Sequence, residues 1–502
     1  MSTPVRLIRR RSANRFLAAV GALAMITAMA PTVSAAPNFA GDIGTTETYV
    51  LLYRAGKSTS GAAAAVEAAG GTLVANYAAI GVVIARSDST GFEAAIEQKG
   101  IQASATTRLG VYGGVDLDAG ALADAPAPGS DSEPLAGLQW DMTQINAFAA
   151  HEISGGDPDV VVGDIDTGLD FTHPDLAQNY SAALSADCSS GTPQPLLPGN
   201  DQNGHGTHTA GTIAAAVNGI GITGVAPNVT IAGIKSSNND GFFFPEMVIC
   251  SYMWVAEHGI DVTNNSYFAD PWLFNCRNDA EQRAIWEAER RAIRYAQSKG
   301  TVVVASEGND STDLSHPRVD VISPDFPPGS ELEREISNAC AVVPVEVAGV
   351  IGVTATGDLG LKSFYSSYGI STADVAAPGG DSILQVTPTA TNGRVLSTYP
   401  AGRPCLRPVV DPSGATYCYL QGTSMASPHV AGVAALIIST TGKSGGAVEA
   451  ALQQATNPVA CPDTSIYAPF PQNSGEPQEC TGGAAHNSFY GAGEIDALQA
   501  VS

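Results

Sequence analysis

Three short segments of the chain carry the groups that a nucleophilic hydrolysis needs. Gly163-Asp164-Ile165-Asp166-Thr167-Gly168 offers a carboxylate, Asn203-Gly204-His205-Gly206-Thr207-His208 an imidazole, and Gly422-Thr423-Ser424-Met425-Ala426-Ser427-Pro428 a hydroxyl. Each stands among small residues, which let another backbone come close. A serine hydroxyl is a poor nucleophile until a neighbouring base takes its proton. That base needs a carboxylate to hold its tautomer and to stabilise the imidazolium that forms. The chain order carboxylate, imidazole, hydroxyl is informative, because unrelated folds that share this constellation string it in different orders.

Each segment sits where an element should begin or end. Asp166 follows the apolar run Val160-Val161-Val162 and precedes Thr167-Gly168. This predicts the carboxyl end of a buried strand, where open α/β sheets place their chemistry. Asp164 lies two residues earlier, on the same face of that strand, and competes for the carboxylate role. A helix is expected over 205–216, with His205 at its start and His208 as a packed residue. The i, i+3 spacing of these histidines would suit a metal, but no third ligand pattern accompanies them. Ser424 starts another helix, whose N-terminus favours negative charge developing on an attacked carbonyl oxygen. Pro428 is expected in the first turn, where it costs no hydrogen bond, and His429 in the core.

Further apolar runs, at 225–226, 231–234, 302–304 and 350–353, alternate with helical stretches at 282–299 and 427–439. Apolar strands separated by helices predict an α/β fold with a parallel sheet covered by helices on both faces. Ahead of it, 36–129 reads as a small α+β unit, with strands at 48–53, 72–74 and 81–85 and helices at 61–69 and 91–98. Segment 118–134 is rich in Ala, Pro, Gly, Ser and acidic residues, as an exposed linker open to processing would be. At the start, Arg6, Arg9, Arg10, Arg11 and Arg15 precede an apolar run at 16–30 and the small residues Val33-Ser34-Ala35. This is the pattern of a secretory signal, and the run is shorter than the roughly 20 residues of a membrane span. The expected division is a signal peptide at 1–35, a small domain and linker at 36–134, and a catalytic domain at 135–502, giving a secreted, extracellular protein.

With 24 Lys and Arg against 49 Asp and Glu, the formal charge is −25. Such a surface repels nucleic acid and anionic membranes, so neither is expected as a partner. A hydrophobic content of 44% with 15% charged residues predicts a filled core rather than disorder. All 8 cysteines lie beyond the signal, and an even count in an exported chain favours disulfides. Proximity makes Cys405–Cys418 and Cys461–Cys480 the expected pairs.

The full runs around Asp166, His205 and Ser424 resemble those of the subtilisin-like serine endopeptidases, the subtilase family, and the resemblance covers nearly everything after about Leu135. Asp-Thr-Gly-x-Asp, continuing into His173-Pro174-Asp175-Leu176, selects Asp166 over Asp164, which stands where an apolar residue is commoner in relatives. The resemblance implies that Ser424 is the nucleophile, His205 its base and Asp166 the orienting carboxylate. Asn309, in Ser306-Glu307-Gly308-Asn309, would donate its amide to the oxyanion. Segment 262–266 matches the family's edge segment, which pairs with substrate as an added strand. Relatives continue with Leu-Gly-Gly where this chain has Tyr267-Phe268-Ala269, and Glu307 replaces a small residue. The candidate substrate-binding residues are therefore Ser266, Tyr267, Phe268, Glu307 and Gly308, with no cleavage-site preference assigned. Asp175 and Asn218 match ligands of a structural Ca2+ site, with Ala136 where a glutamine often completes it. The resemblance further implies an inhibitory prosegment at 36–134 acting on its own enzyme, protein or peptide substrates, and a monomer. A dedicated processing protease with a narrow target, and an inactive binding protein on the same fold, are the alternatives.

Overall fold

The computed structural model describes residues 46–106, 133–325 and 329–502. The expected signal peptide and nearly all of the expected linker lie outside them.

From Glu133 onward the chain builds a sheet of nine strands. Their spatial order is Thr456–Asn457, Glu494–Ile495, Ala373–Pro378, Val350–Thr356, Val302–Ser306, Val262–Asn265, Val161–Asp166, Thr230–Lys235 and Ala186–Asp187. All neighbours run parallel except the edge strand Thr456–Asn457. Every residue of Val161–Asp166 is buried, as a central parallel strand with helices on both faces requires. Alternate side chains serve two layers. Val162, Ile231 and Val304 face the helices His205–Ala214 and Thr423–Thr441. Val161, Ile165 and Val303 face Pro245–His258 and Ala280–Ser298.

Two expectations about this sheet need correcting. Val225-Ala226 is no strand. Its two N–H groups bond to the carbonyls of Thr212 and Ile213, each at 2.9 Å, so these buried apolar residues close the end of the His205 helix instead of joining a ladder. Segment 262–266 is not at an edge either. Val262–Asn265 is paired on one side with Val161–Asp166 and on the other with Val302–Ser306. Only the chain beyond Asn265 is clear of the ladder and able to pair with another strand.

Residues 46–106 form a separate antiparallel sheet in the order Gly71–Tyr77, Val82–Ser87, Glu47–Leu52 and Gln102–Ala105, the last strand being unforeseen. Helices Ala62–Ala68 and Phe92–Glu97 close a small core of Leu51, Val66, Val83, Phe92 and Ile96. The opposite face, with Val50, Leu52, Val82 and Ile84, packs on Tyr252, Met253 and Ala288 of the larger body. Arg291 adds a hydrogen bond from Nη1 to the Tyr53 carbonyl at 2.8 Å. The disulfides are Cys188–Cys250, Cys276–Cys340, Cys405–Cys418 and Cys461–Cys480, which include both pairs expected from proximity. Among the described residues no single helix is long and apolar enough to cross a membrane.

Candidate active site

Asp166 ends its strand and His205 begins its helix, so the two side chains meet where strand and helix abut. His205 Nδ1 lies 2.8 Å from Asp166 Oδ1, which also accepts the Thr167 N–H at 2.7 Å. The approach depends on glycine twice. Gly204 precedes the helix at φ 100°, a left-handed conformation open to glycine at little cost. At Gly206 any Cβ would collide with the Gly168 carbonyl, so only glycine lets the helix close on the strand end.

A residue the sequence reading missed holds this junction. The buried Asp201 carboxylate accepts from Gly204 N–H at 2.7 Å, Thr207 N–H at 3.0 Å, Thr207 Oγ1 at 2.6 Å and Thr167 Oγ1 at 3.0 Å. Its signal was available: an aspartate just ahead of a helix is well placed to satisfy the first unpaired N–H groups. Burial disfavours the His205 imidazolium, yet the charge and hydrogen bond of Asp166, with Asp201 near, hold its pKa above the ordinary value.

Ser424 lies in the first turn of Thr423–Thr441. Its hydroxyl donates to the Ser266 carbonyl at 3.2 Å, and the Ser266 hydroxyl donates to the Ser424 carbonyl at 3.0 Å. Pro428 is not in the first turn as expected. The helix starts at Thr423, so Pro428 sits inside it and cannot donate to the carbonyl four residues back, which is that of Ser424. Asn309 Oδ1 accepts from Thr423 N–H at 2.9 Å and from Thr423 Oγ1 at 3.0 Å. Its carbonyl end is thereby committed, which leaves Nδ2 as its donor end. Gly308 N–H bonds Thr423 Oγ1 at 3.1 Å, binding this loop to the same helix.

The other candidates are placed less uniformly. Ser266 is buried against Ser424. Tyr267 turns inward and stacks on Phe243, with ring centroids 4.2 Å apart, so Phe268, half-buried, is the aromatic with surface left for a substrate. Glu307 is 1% exposed and accepts from Thr372 Oγ1 at 3.1 Å. Burial, then the charges of Glu346 and Asp374, push its pKa well above the carboxylate range. It meets a substrate through backbone, if at all. His208 is fully buried with Nε2 3.0 Å from the Cys418 carbonyl, and burial drives its pKa down to about 3. His429 is paired with Asp141 at 3.1 Å in the core. Met425 is buried among Trp140, Ala390 and Val395.

Asp175 and Asn218 come together beside the loop 218–222. Asp175 Oδ2 accepts from Tyr417 Oη at 2.7 Å and Ile222 N–H at 3.2 Å, and Asn218 Oδ1 accepts from Ile220 N–H at 2.9 Å. Glu133, unforeseen, takes the Gly219 N–H at 3.0 Å. Asp175 Oδ1 and Glu133 Oε2 are buried oxygens with no hydrogen-bond partner. Burial raises the Asp175 pKa to about 7. Orphaned carboxylate oxygens next to loop carbonyls are what a hard cation with oxygen ligands would satisfy. Among the described residues no three acidic, His or Cys side chains gather as a metal site, so backbone oxygens would have to supply part of the shell.

The family model of the subtilases matches residues 157–493. Subtilisin DY of Bacillus licheniformis is 32% identical over 280 residues, 56% of this chain and 77% of that protein. Subtilisin BL of Lederbergia lenta is 31% identical over 305 residues, covering 60% and 84%. The solved structure of the epidermin leader peptide processing serine protease of Staphylococcus aureus aligns with a TM-score of 0.65 at 22% identity. It covers 91% of this chain and 98% of that one, a likeness of fold that reaches ahead of Glu133.

Proposed function

The chain belongs to the subtilase family and is a serine endopeptidase, and from that premise we propose that hydrolysis runs through Ser424, His205, Asp166 and Asn309. Ser424 attacks a peptide carbonyl as His205 takes its proton. Asp166 holds the His205 tautomer and stabilises the imidazolium. The Asn309 amide and the Ser424 N–H receive the charge on the tetrahedral oxygen, at the N-terminus of a helix whose dipole favours it. His205 then protonates the leaving amine, and water hydrolyses the acyl-enzyme. The observation that carries this reading is the buried 2.8 Å contact between Asp166 and His205. The test is casein hydrolysis by Ser424→Ala and His205→Ala, which should lose activity to the same extent because the groups act as a unit. A Ser424→Ala protein that still cleaves casein at the parental rate refutes it.

The protein acts outside the cell, with 1–35 as signal peptide, 36–134 as inhibitory prosegment and linker, and 135–502 as catalytic domain. Four disulfides and the packing of residues 46–106 on the helices Pro245–His258 and Ala280–Ser298 support this. Asp175, Asn218 and Glu133 with loop carbonyls would hold Ca2+, which when bound would neutralise the buried carboxylates and lock the loop. A second reading, a dedicated processing protease, draws on the half-buried Phe268 in the segment next to Ser424. Cleavage profiling on a proteome-derived peptide library separates the two, a narrow sequence logo favouring the second.

A further inference from the structure

Asp164 stands on the same face of its strand as Asp166 and is 2% exposed. Both carboxyl oxygens are used. Asn264, its register partner on the adjoining strand, donates from Nδ2 to Oδ1 at 2.9 Å. Thr209 Oγ1 lies 2.8 Å from Oδ2. Thr209 is one turn beyond His205, and its hydroxyl also reaches the carbonyls of Gly206 at 3.1 Å and His205 at 3.4 Å. Asn264 continues the chain of contacts. Its Oδ1 accepts from Ser427 Oγ at 2.7 Å, one turn beyond Ser424. Its Nδ2 also reaches Ser266 Oγ at 3.1 Å, and Ser266 bonds the Ser424 carbonyl at 3.0 Å.

We propose that Asp164 is a positioning residue of the hydrolysis. It joins the strand ending in Asp166, the helix starting at His205 and the helix carrying Ser424 into one frame. The inference rests on the roles given above to those three residues. The physical basis is geometric: buried polar networks that are fully satisfied fix one arrangement of the elements they join, and a misplacement of roughly 1 Å at a reacting centre costs about 100-fold in rate.

The proton state of Asp164 decides how to test it. Burial, then the Asp166 charge, raise its pKa well above the usual carboxylate range. The titratable groups facing it are Asp166 on its own strand and His205 from the helix. The adjoining strand and the Ser424 helix present only an amide, Asn264, and a hydroxyl, Ser427. Asp164 accepts from Asn264 Nδ2 and from Thr209 Oγ1, and the Thr209 hydroxyl can turn its proton to the Gly206 carbonyl it also reaches, so a group at Oδ2 can be met as acceptor or as donor. Asparagine therefore keeps both contacts, with its carbonyl toward Asn264 and its N–H toward Thr209. Alanine removes both contacts, leaving Asn264 Nδ2 with Ser266 Oγ and Thr209 Oγ1 with carbonyls of its own helix only, so the strand and the helix are no longer joined through this position.

The experiment measures kcat, KM and the pH profile on one peptide substrate for the parent enzyme and for Asp164→Asn, Asp164→Ala, Thr209→Val and Ser427→Ala. Asp164→Ala should lower kcat by about tenfold or more with KM within about twofold, the split expected when only the transition state loses stabilisation. Asp164→Asn should keep kcat within about threefold of the parent and leave the acid limb in place. Thr209→Val and Ser427→Ala each cut one connection and should lower kcat by a smaller factor, which keeps the proposal open to refutation if Asp164→Ala does not fold. Unchanged kcat in Asp164→Ala, or in both single-connection variants, overturns it. An acid limb moved to lower pH in Asp164→Asn also overturns it, because Asp164 would then act as a charge on His205. Failure of the underlying assignment looks different: the parent would not react with a fluorophosphonate at Ser424.

Discussion

Ser266 and Ser424 are hydrogen-bonded to each other twice, hydroxyl to carbonyl in both directions, at 3.0 and 3.2 Å. Pro428 makes this possible. Lacking an N–H, it leaves the Ser424 carbonyl without its helical donor, and the Ser266 hydroxyl fills the place. Ser424 is therefore held from the strand side as well as from its own helix. Its hydroxyl donates to a backbone carbonyl on the segment expected to receive substrate.

Ser266→Ala should remove one buried hydrogen bond and leave the Ser424 carbonyl unsatisfied. A loss of about 1 kcal/mol is expected, lowering the melting temperature by on the order of 2 °C in a domain of this size. Steady-state kinetics should show kcat falling more than KM rises. A fall in stability with both constants unchanged would make the pair structural only.

The pH dependence follows from His205. Its pKa is held above the ordinary value by Asp166, against burial. Catalysis needs the neutral imidazole, so activity should rise with pH through a midpoint above about 6.5. The same shift affects stability with the opposite sense: the His205 contribution is fully present below the unfolded pKa and fades as pH rises through the folded one. Asp201→Asn removes a nearby negative charge and should move the kcat/KM midpoint to lower pH. A midpoint that stays put would show that Asp201 acts only through its hydrogen bonds.

Ca2+ binding beside Asp175 should depend on pH with a definite sign. With its folded pKa raised to about 7, Asp175 keeps a proton that the unfolded chain releases above about 3.9. Metal-free protein should therefore lose stability as pH rises through that window. Bound Ca2+ requires the carboxylate, so the gain in melting temperature on adding Ca2+ should grow from pH 5.5 to pH 8. At 100 times its Kd such a ligand adds ~2.7 kcal/mol. Thermal melts in EDTA and in Ca2+ test this, and Asp175→Asn and Glu133→Gln should each abolish the gain. Equal melts in both solutions would leave a metal-free loop.

Maturation should depend on the same nucleophile. The Ser424→Ala precursor should accumulate uncut, whereas the parent should yield a mature chain beginning within 118–138. Arg291→Ala, which loses the bond to the Tyr53 carbonyl, should weaken inhibition by the released segment without changing kcat. N-terminal sequencing of secreted material checks the first expectation. A mature chain starting upstream of Tyr49 would contradict the prosegment reading.

The strands Val302–Ser306 and Val350–Thr356 and the helix starting at His205 were legible in the sequence because apolar runs and small-residue turns are local signals. Val225-Ala226 misled for the same reason. Two apolar residues look alike whether their N–H groups meet a strand or the end of a helix, and only the tertiary contact with Thr212 and Ile213 decides. The three segments that carry Asp166, His205 and Ser424 were equally legible, since their neighbours are constrained by close approach. Most of the groups that hold them were not. Glu133 and Thr209 act through partners far away in the chain, and no spacing rule links Asp164 to Ser427, whereas Asp201 caps Gly204 and Thr207 only three and six residues on and carries a local signal. The inward turn of Tyr267 was hidden too, because it depends on Phe243 being there to stack on.

The assignment of Ser424 as a nucleophile activated by His205 and Asp166 is best tested by treating mature enzyme with a fluorophosphonate and mapping the labelled peptide by mass spectrometry. A single adduct on Ser424 should form in parallel with loss of peptidase activity, and labelling should slow by about 100-fold or more in His205→Ala. An adduct on another residue, or inactivation that proceeds unchanged in Ser424→Ala, would contradict it.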